Sequence, residues 1–269
     1  MAVTYGVGDF FGGLASKRNP PTAVVAVSQS FGLVIMVVLV IVDGSAFVGG
    51  DFVAGAGAGS IGLIGVILLY RGLATGTMSV VAPITAVGAG VLPLVWGLAT
   101  GERPSALAMV GVVAALAAVA LVSAADAVEG APVKGSDVAL ALVAGAAFGM
   151  VFVLLGTTDD DSGMWPVLGA RIASVTLVTS FVLLSRRPWK PAPGTLPTVA
   201  GAGALDAGAN ALYLLASREG LLSVVSVLSS LYPAATIVLA RLLLRERMNR
   251  VQLVGIALAL TGVGLIAAG

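Results

Sequence analysis

Residues 70–123 read YRGLATGTMSVVAPITAVGAGVLPLVWGLATGERPSALAMVGVVAALAAVALVS, and residues 213–267 read YLLASREGLLSVVSVLSSLYPAATIVLARLLLRERMNRVQLVGIALALTGVGLIA. Slid by 144 positions, Gly76 meets Gly220 and Ser79-Val80-Val81 meets Ser223-Val224-Val225. The same slide brings Glu102-Arg103 onto Glu246-Arg247 and Val110-Gly111 onto Val254-Gly255. Tyr70 and Tyr213 align at a shift of 143, and Ser28-Gln29 lies opposite Ala170-Arg171 at 142. Apolar helices resemble one another by composition alone, but shared Gly, Ser-Val-Val and Glu-Arg at one spacing point to duplication of a unit.

The unit is built for lipid. Hydrophobic residues make up 58% of the 269, charged residues 10%, and the mean hydropathy is +1.08. A soluble domain carries about 25% charged residues, so this chain cannot clothe a water-facing surface of its size. Breaks in the apolar run leave ten segments: 1–15, 22–42, 52–73, 77–100, 105–124, 137–157, 164–185, 196–217, 221–244 and 250–268. Each is close to the ~20 residues that cross a bilayer as a helix, which leaves only short loops. Ten segments in two copies give five helices per copy. Because five is odd, the second copy enters the bilayer from the opposite side, an inverted-topology repeat of the kind secondary transporters use. The expected fold class is an all-α polytopic membrane protein of ten transmembrane helices, with one five-helix repeat over 1–128 and the other over 134–269. The first segment is short for a span, which fits either a thinned region or a helix whose upstream half is missing; we favour the second.

Composition also excludes. Cys and His are absent, which removes disulfides, thiol chemistry and the common zinc and haem ligand sets. No metal and no cofactor is expected. A net charge of +1 argues against a nucleic-acid partner. The N-terminus lacks a basic region and Asp9 interrupts its apolar run, so it does not read as a cleavable signal. Gly57-Ala58-Gly59-Ser60-Ile61-Gly62 has dinucleotide-loop spacing, but it lies inside an apolar span, where glycines let helices approach. No phosphate-binding Walker motif is present, so ATP hydrolysis by this chain is not expected.

The pieces YRGLATGTMSVVAPI with GERPS, and YLLASREGLLSVVSVLSSLYP with RERMNRVQLVG, resemble the two repeats of the EamA-like family within the drug/metabolite transporter superfamily. The opening YGVGDFFGGLASKR resembles that family's first helix without its usual upstream half. The resemblance implies a ten-helix bundle around a central cavity, working by alternating access and usually exporting small metabolites or amino acids. Its motifs say nothing about which substrate.

Charge bears on orientation, because cytoplasmic loops collect Lys and Arg. Odd-numbered loops and their margins hold Lys17, Arg18, Arg71, Lys134, Arg186, Arg187, Lys190, Arg241, Arg245, Arg247 and Arg250, whereas even loops hold Arg103 and Arg218. Even loops instead carry Asp43, Asp51 and Asp159-Asp160-Asp161. That bias puts odd loops inside and both termini outside; the family resemblance more often implies cytoplasmic termini, and a first segment that does not span would leave the N-terminus inside.

Ionisable residues at membrane depth are expensive and should face a cavity or a partner. Asp9, Arg171 and Asp206 stand out. Asp206, Asn210, Tyr213 and Ser217 recur at helical spacing on one face of the eighth segment, a stripe suited to a polar path or to interhelical hydrogen bonds. Tyr5, Asp9, Gly12 and Ser16 share a face of the first. If Asp9 and Arg171 meet across the pseudo-twofold, each neutralises the other, either as a static pair or as the ends of a zwitterion site. We expect Gln29, Arg171, Asn210 and Tyr213 to contact substrate. Asp9 and Asp206 are expected as proton or ammonium sites, since low dielectric disfavours a carboxylate's charge and lets it load and release a proton. Glu102 and Glu246 precede helices at the membrane boundary, where negative charge is favoured. Ser223, Ser226 and Ser230 with Pro233 read as packing, and Pro83, Pro93 and Pro233 as bends.

The expectation is a secondary transporter, not an enzyme, exporting small metabolites or amino acids. Its partners are a small-molecule substrate and the lipid bilayer, a homodimer is compatible, and the expected location is the bacterial plasma (inner) membrane as a multi-pass protein. The alternatives are an integral membrane enzyme acting on lipid or isoprenoid substrates, for which Asp159–Asp161 is the one acidic cluster, and a lipid-carrier flippase on the same fold.

Overall fold

The structure, a computed structural model, describes residues 1–75, 78–124, 135–186, 188–244 and 250–269. The expected junction between repeats, together with Gly76, Lys134, Arg187, Arg245, Glu246 and Arg247, lies outside the described residues, as do the side chains of Ser79, Val80, Val81, Pro83 and Arg241. Among the described residues the secondary structure is helical: α1 (Ala2–Ser16), α2 (Pro21–Asp43), α3 (Gly49–Thr75), α4 (Met78–Ala99), α5 (Ala106–Ala124), α6 (Gly135–Gly156), α7 (Trp165–Leu184), α8 (Leu196–Glu219), α9 (Leu222–Ser229), α10 (Tyr232–Leu244) and α11 (Arg250–Ala268), with a 3-10 turn at Asp160–Ser162.

Prolines set several starts. Pro21, Pro166 and Pro197 stand in the first turns of α2, α7 and α8, where a missing N–H costs nothing and the fixed φ suits a helix. Gly44 ends α2 in the left-handed region, with φ 67° and its N–H on the Val40 carbonyl, the usual glycine stop. Segment 221–244 is not one helix. It breaks at Ser230 and Leu231 between α9 and α10. Pro233 has no N–H for the Ser229 carbonyl and its ring crowds that position, so the ladder cannot run through.

Five helices are long and apolar enough to cross a membrane: Pro21–Asp43, Gly49–Arg71, Ala139–Gly156, Trp165–Leu184 and Leu196–Glu219. Shorter apolar stretches run over Thr85–Ala99, Ala106–Leu121, Leu222–Thr236 and Leu253–Ile266. The outer face is apolar, with Val34, Ile41, Leu184, Leu242 and Leu260 all exposed, an arrangement lipid tolerates and water does not. The protein is an integral, multi-pass membrane protein. Without a hydrophobic drive between helices in lipid, close packing of small residues holds them together.

Gly59 in α3 lies against the Ala170 carbonyl of α7, and Gly203 in α8 lies against the Ser28 carbonyl of α2. A Cβ at either glycine would strike backbone. More widely, α3 packs on α6 and α7, α8 on α1 and α2, α4 on α6 and α9, α1 on α10, and α5 on α11. The connections sort to two ends. Trp165 Nε1 donates to the Ser45 carbonyl at 3.0 Å, the Asp159 N–H donates to Asp51 at 3.0 Å, and Arg218 donates to the Gly163 carbonyl at 2.8 Å. These contacts gather the turns after α2, α6 and α8. The turns after α1 and α7 meet elsewhere, through Asn19, which accepts from the Ala192 N–H at 2.6 Å and donates to Thr195 at 3.3 Å.

Candidate functional site

A cavity of about 80 Å³ opens among α1, α2, α3, α4, α6, α7, α8 and the start of α10. Its wall is largely apolar and aromatic, with Tyr5, Tyr70, Phe148, Phe152 and Tyr232. The polar side chains on it are Asp9, Gln29, Arg171, Ser174, Asp206 and Asn210. An apolar hollow with a few convergent polar groups is the usual form of a small-molecule site.

The polar groups form one network. Arg171, on the seventh position of α7, is buried at 4% exposure and pairs with Asp206 of α8 at 2.6 Å. The same guanidinium donates to Gln29 Oε1 of α2 at 2.5 Å, and Ser174 donates to that oxygen at 3.0 Å. Gln29 in turn donates to Asp206 at 3.4 Å. Asn210, one turn along α8, donates to the Asp206 carbonyl at 2.8 Å and accepts the Tyr5 hydroxyl of α1 at 3.0 Å. A buried charge is tolerable only when paired and hydrogen-bonded, and Arg171 has both. The network ties α1, α2, α7 and α8 around one hollow.

Of the expected residues, Gln29, Arg171, Asn210, Asp9 and Asp206 are brought together here. Tyr213 is not. It is fully buried, its hydroxyl donates to the Phe152 carbonyl at 2.9 Å and shares a 2.9 Å hydrogen bond with Ser226, and its ring stacks on Phe152 at 4.3 Å. Phe152 stands between it and the cavity, so Tyr213 braces the wall and does not form it. The expected stripe on α8 ends with Asn210, since Ser217 donates locally to the Leu214 carbonyl at 2.8 Å. The partner of Arg171 is Asp206, not Asp9; Asp9 lines the same cavity without an ion pair among the described residues. Tyr232 and the aromatic lining were not singled out from sequence. Tyr232 sits beside Pro233 at the helix break, and that proline was the available signal.

Glu102 meets a helix start, as its sequence suggested, but the helix is α9 and not the α5 that follows it. Its carboxylate accepts the Leu222 N–H at 2.8 Å and the Ser223 N–H at 2.9 Å. Asp159–Asp161 are held as a turn, with Arg218 donating to the Asp159 carbonyl at 3.1 Å and lying 3.6 Å from Asp160. Among the described residues no group of three or more acidic side chains could hold a metal. The sequence model of the EamA-like transporter family matches residues 136–268, from α6 through α11. This half of the chain belongs to the EamA-like transporter family. That family is part of the drug/metabolite transporter superfamily, so a transporter-like role in a membrane follows from membership. A crystal structure of a protein is similar in fold over 99% of this chain and 95% of its own, with a TM-score of 0.77 and 15% identity. That likeness concerns the fold alone. No curated protein matches the chain.

Proposed function

We propose that the protein is a secondary transporter that exports small metabolites or amino acids by alternating access through this cavity. Its ten spans would be two five-helix repeats, 1–128 and 134–269, inserted in opposite senses, with α9 and α10 together forming the ninth. The observation that carries the reading is the contact between Gln29 and Arg171, which stand opposite each other in the two repeats and touch at 2.5 Å inside a cavity lined from both halves. Under a pseudo-twofold, equivalent residues meet only near the axis, where alternating-access transporters hold substrate. The paired contacts Gly59–Ala170 and Gly203–Ser28 support the same duplication, since each partner of one is the repeat mate of a partner of the other. The gathering of even-numbered turns at one end supports alternate crossing.

Gln29, Arg171 and Asn210 would contact substrate, and Asp9 and Asp206 would serve coupling. The Arg171–Asp206 bridge joins α7 to α8, so a substrate or proton that weakens it frees those helices to move. Two experiments test this. Counterflow in proteoliposomes against amino acids, nucleosides and organic cations at two pH values should reveal at least one carried class, lost in Asp206→Asn and Arg171→Gln. Wild-type transport by both variants removes these residues from the mechanism. The chain has no Cys, so single cysteines at Ala46 and Lys190 report topology cleanly. Impermeant reagent should reach them from opposite sides; labelling from one side ends the inverted-repeat reading.

A further inference from the structure

Three carboxyl or guanidinium side chains line the cavity, and two of them are paired: Arg171 with Asp206 at 2.6 Å. The guanidinium also holds Gln29 and has no call for a further anion. Asp9 remains. It is partly buried on α1 and has neither hydrogen bond nor ion pair among the described residues. Among the described residues Asp9 is thus the one carboxylate on this largely apolar wall without a partner, an arrangement that suits a positive ligand.

A second, independent feature lies on the same cavity wall. The Tyr232 hydroxyl is buried without a hydrogen-bond partner among the described residues, although its residue lines the cavity and is only 6% exposed. The break between α9 and α10 seats Tyr232 there, since it opens α10 next to Pro233. Asp9, Tyr70 and Tyr232 line the same cavity. The Tyr70 hydroxyl lies over Gly12, one turn along α1 from Asp9. A buried phenol oxygen accepts as well as donates, and leaving it unpaired is costly. An ammonium group has three donors and no acceptor. It can answer Asp9 and Tyr232 together, and the rings of Tyr5, Phe148 and Phe152 suit a cation and its apolar body. A substrate carboxylate would have to displace Asp206 from Arg171.

We propose that Asp9 and Tyr232 form a subsite for a primary ammonium group, so that the carried compounds are monovalent organic amines with an apolar body. This rests on the transporter reading and names the substrate class of that cavity. The test uses the full chain in lipid nanodiscs, with calorimetric titration of 2-phenylethylammonium, 3-phenylpropionate, 2-phenylethanol and phenylalanine. The cation should bind about tenfold or more tighter than each of the others, and Asp9→Asn should remove that preference while leaving 2-phenylethanol within about twofold, a sign that the cavity is intact. Tyr232→Phe should weaken the cation by about threefold to tenfold. Equal or tighter binding of anion, neutral compound or zwitterion, an unchanged cation constant in Asp9→Asn, or no binding of any compound overturns the proposal. If Asp9→Asn does not fold, the wild-type ranking and Tyr232→Phe decide. Proteoliposomes that carry phenylalanine and ignore the amine would sink this inference and spare the transporter; Asp9-dependent amine binding with no transport of any compound would do the reverse.

Discussion

The Arg171–Asp206 bridge should hold α7 to α8 as well as shape the cavity, and a double-mutant cycle measures how much. Arg171 is 4% exposed and Asp206 24%, with 2.6 Å between the charged atoms. At an effective dielectric of about 20, unit charges at that separation attract by about 6 kcal/mol. Desolvation opposes much of this, and removing one partner of a buried pair costs about 3–5 kcal/mol. Asp206→Asn keeps the shape but leaves the guanidinium with Gln29 alone, so we expect a loss of about 3 kcal/mol, the low end because Asp206 faces the cavity. Arg171→Gln leaves Asp206 with Gln29 and Asn210, both 3.4 Å away, and should cost about 2 kcal/mol. The double variant has no orphaned charge and should cost about 2 kcal/mol, well below the sum. In a chain of this size 1 kcal/mol moves the melting midpoint by about 2–4 °C. Fluorescence-detected thermal scans in detergent should therefore find Asp206→Asn lower by about 6–12 °C, with the double variant recovering part of it. Additive losses, or single variants that melt like wild type, would refute the reasoning.

Other expectations follow from single contacts. Gly59→Ala and Gly203→Ala should each cost about 1–3 kcal/mol in thermal scans, because the new Cβ meets backbone that cannot turn aside; Gly208→Ala, with nothing within 4 Å, should be neutral or slightly stabilising. Glu102→Gln should lower stability by about 1–2 kcal/mol, since it replaces a charged cap on two α9 N–H groups with a neutral one; an unchanged midpoint would mean that the contact does not anchor α9. Tyr213→Phe should cost about 1 kcal/mol by breaking its hydrogen bonds to Phe152 and Ser226, with the KM for any carried substrate unchanged; a raised KM would return Tyr213 to the cavity.

Much of the site was legible because ionisable residues in an apolar segment have few places to go. Asp9, Arg171 and Asp206 fell in one cavity for that reason, and Gln29 was marked by its place opposite Arg171 at a shift of 142. The face containing Asp206 and Asn210 held for one turn. It failed at Tyr213, because helical spacing gives the direction of a side chain but not what stands there, and α6 places Phe152 between that ring and the hollow. Glu102 kept the expected role on an unexpected helix for a similar reason: sequence order points to the next helix start, whereas packing brings α9 nearer.

By itself the sequence determined the solvent and the helices, and it points to a duplication. Those depend on composition, on period and on Gly, Ser-Val-Val and Glu-Arg repeating at one shift, all local properties of a chain in lipid. Which carboxylate faces Arg171, where the ninth segment breaks, and which tyrosine reaches the cavity were decided by tertiary structure. Each depends on distances between helices far apart in the chain, and those are set by where small residues let backbones touch.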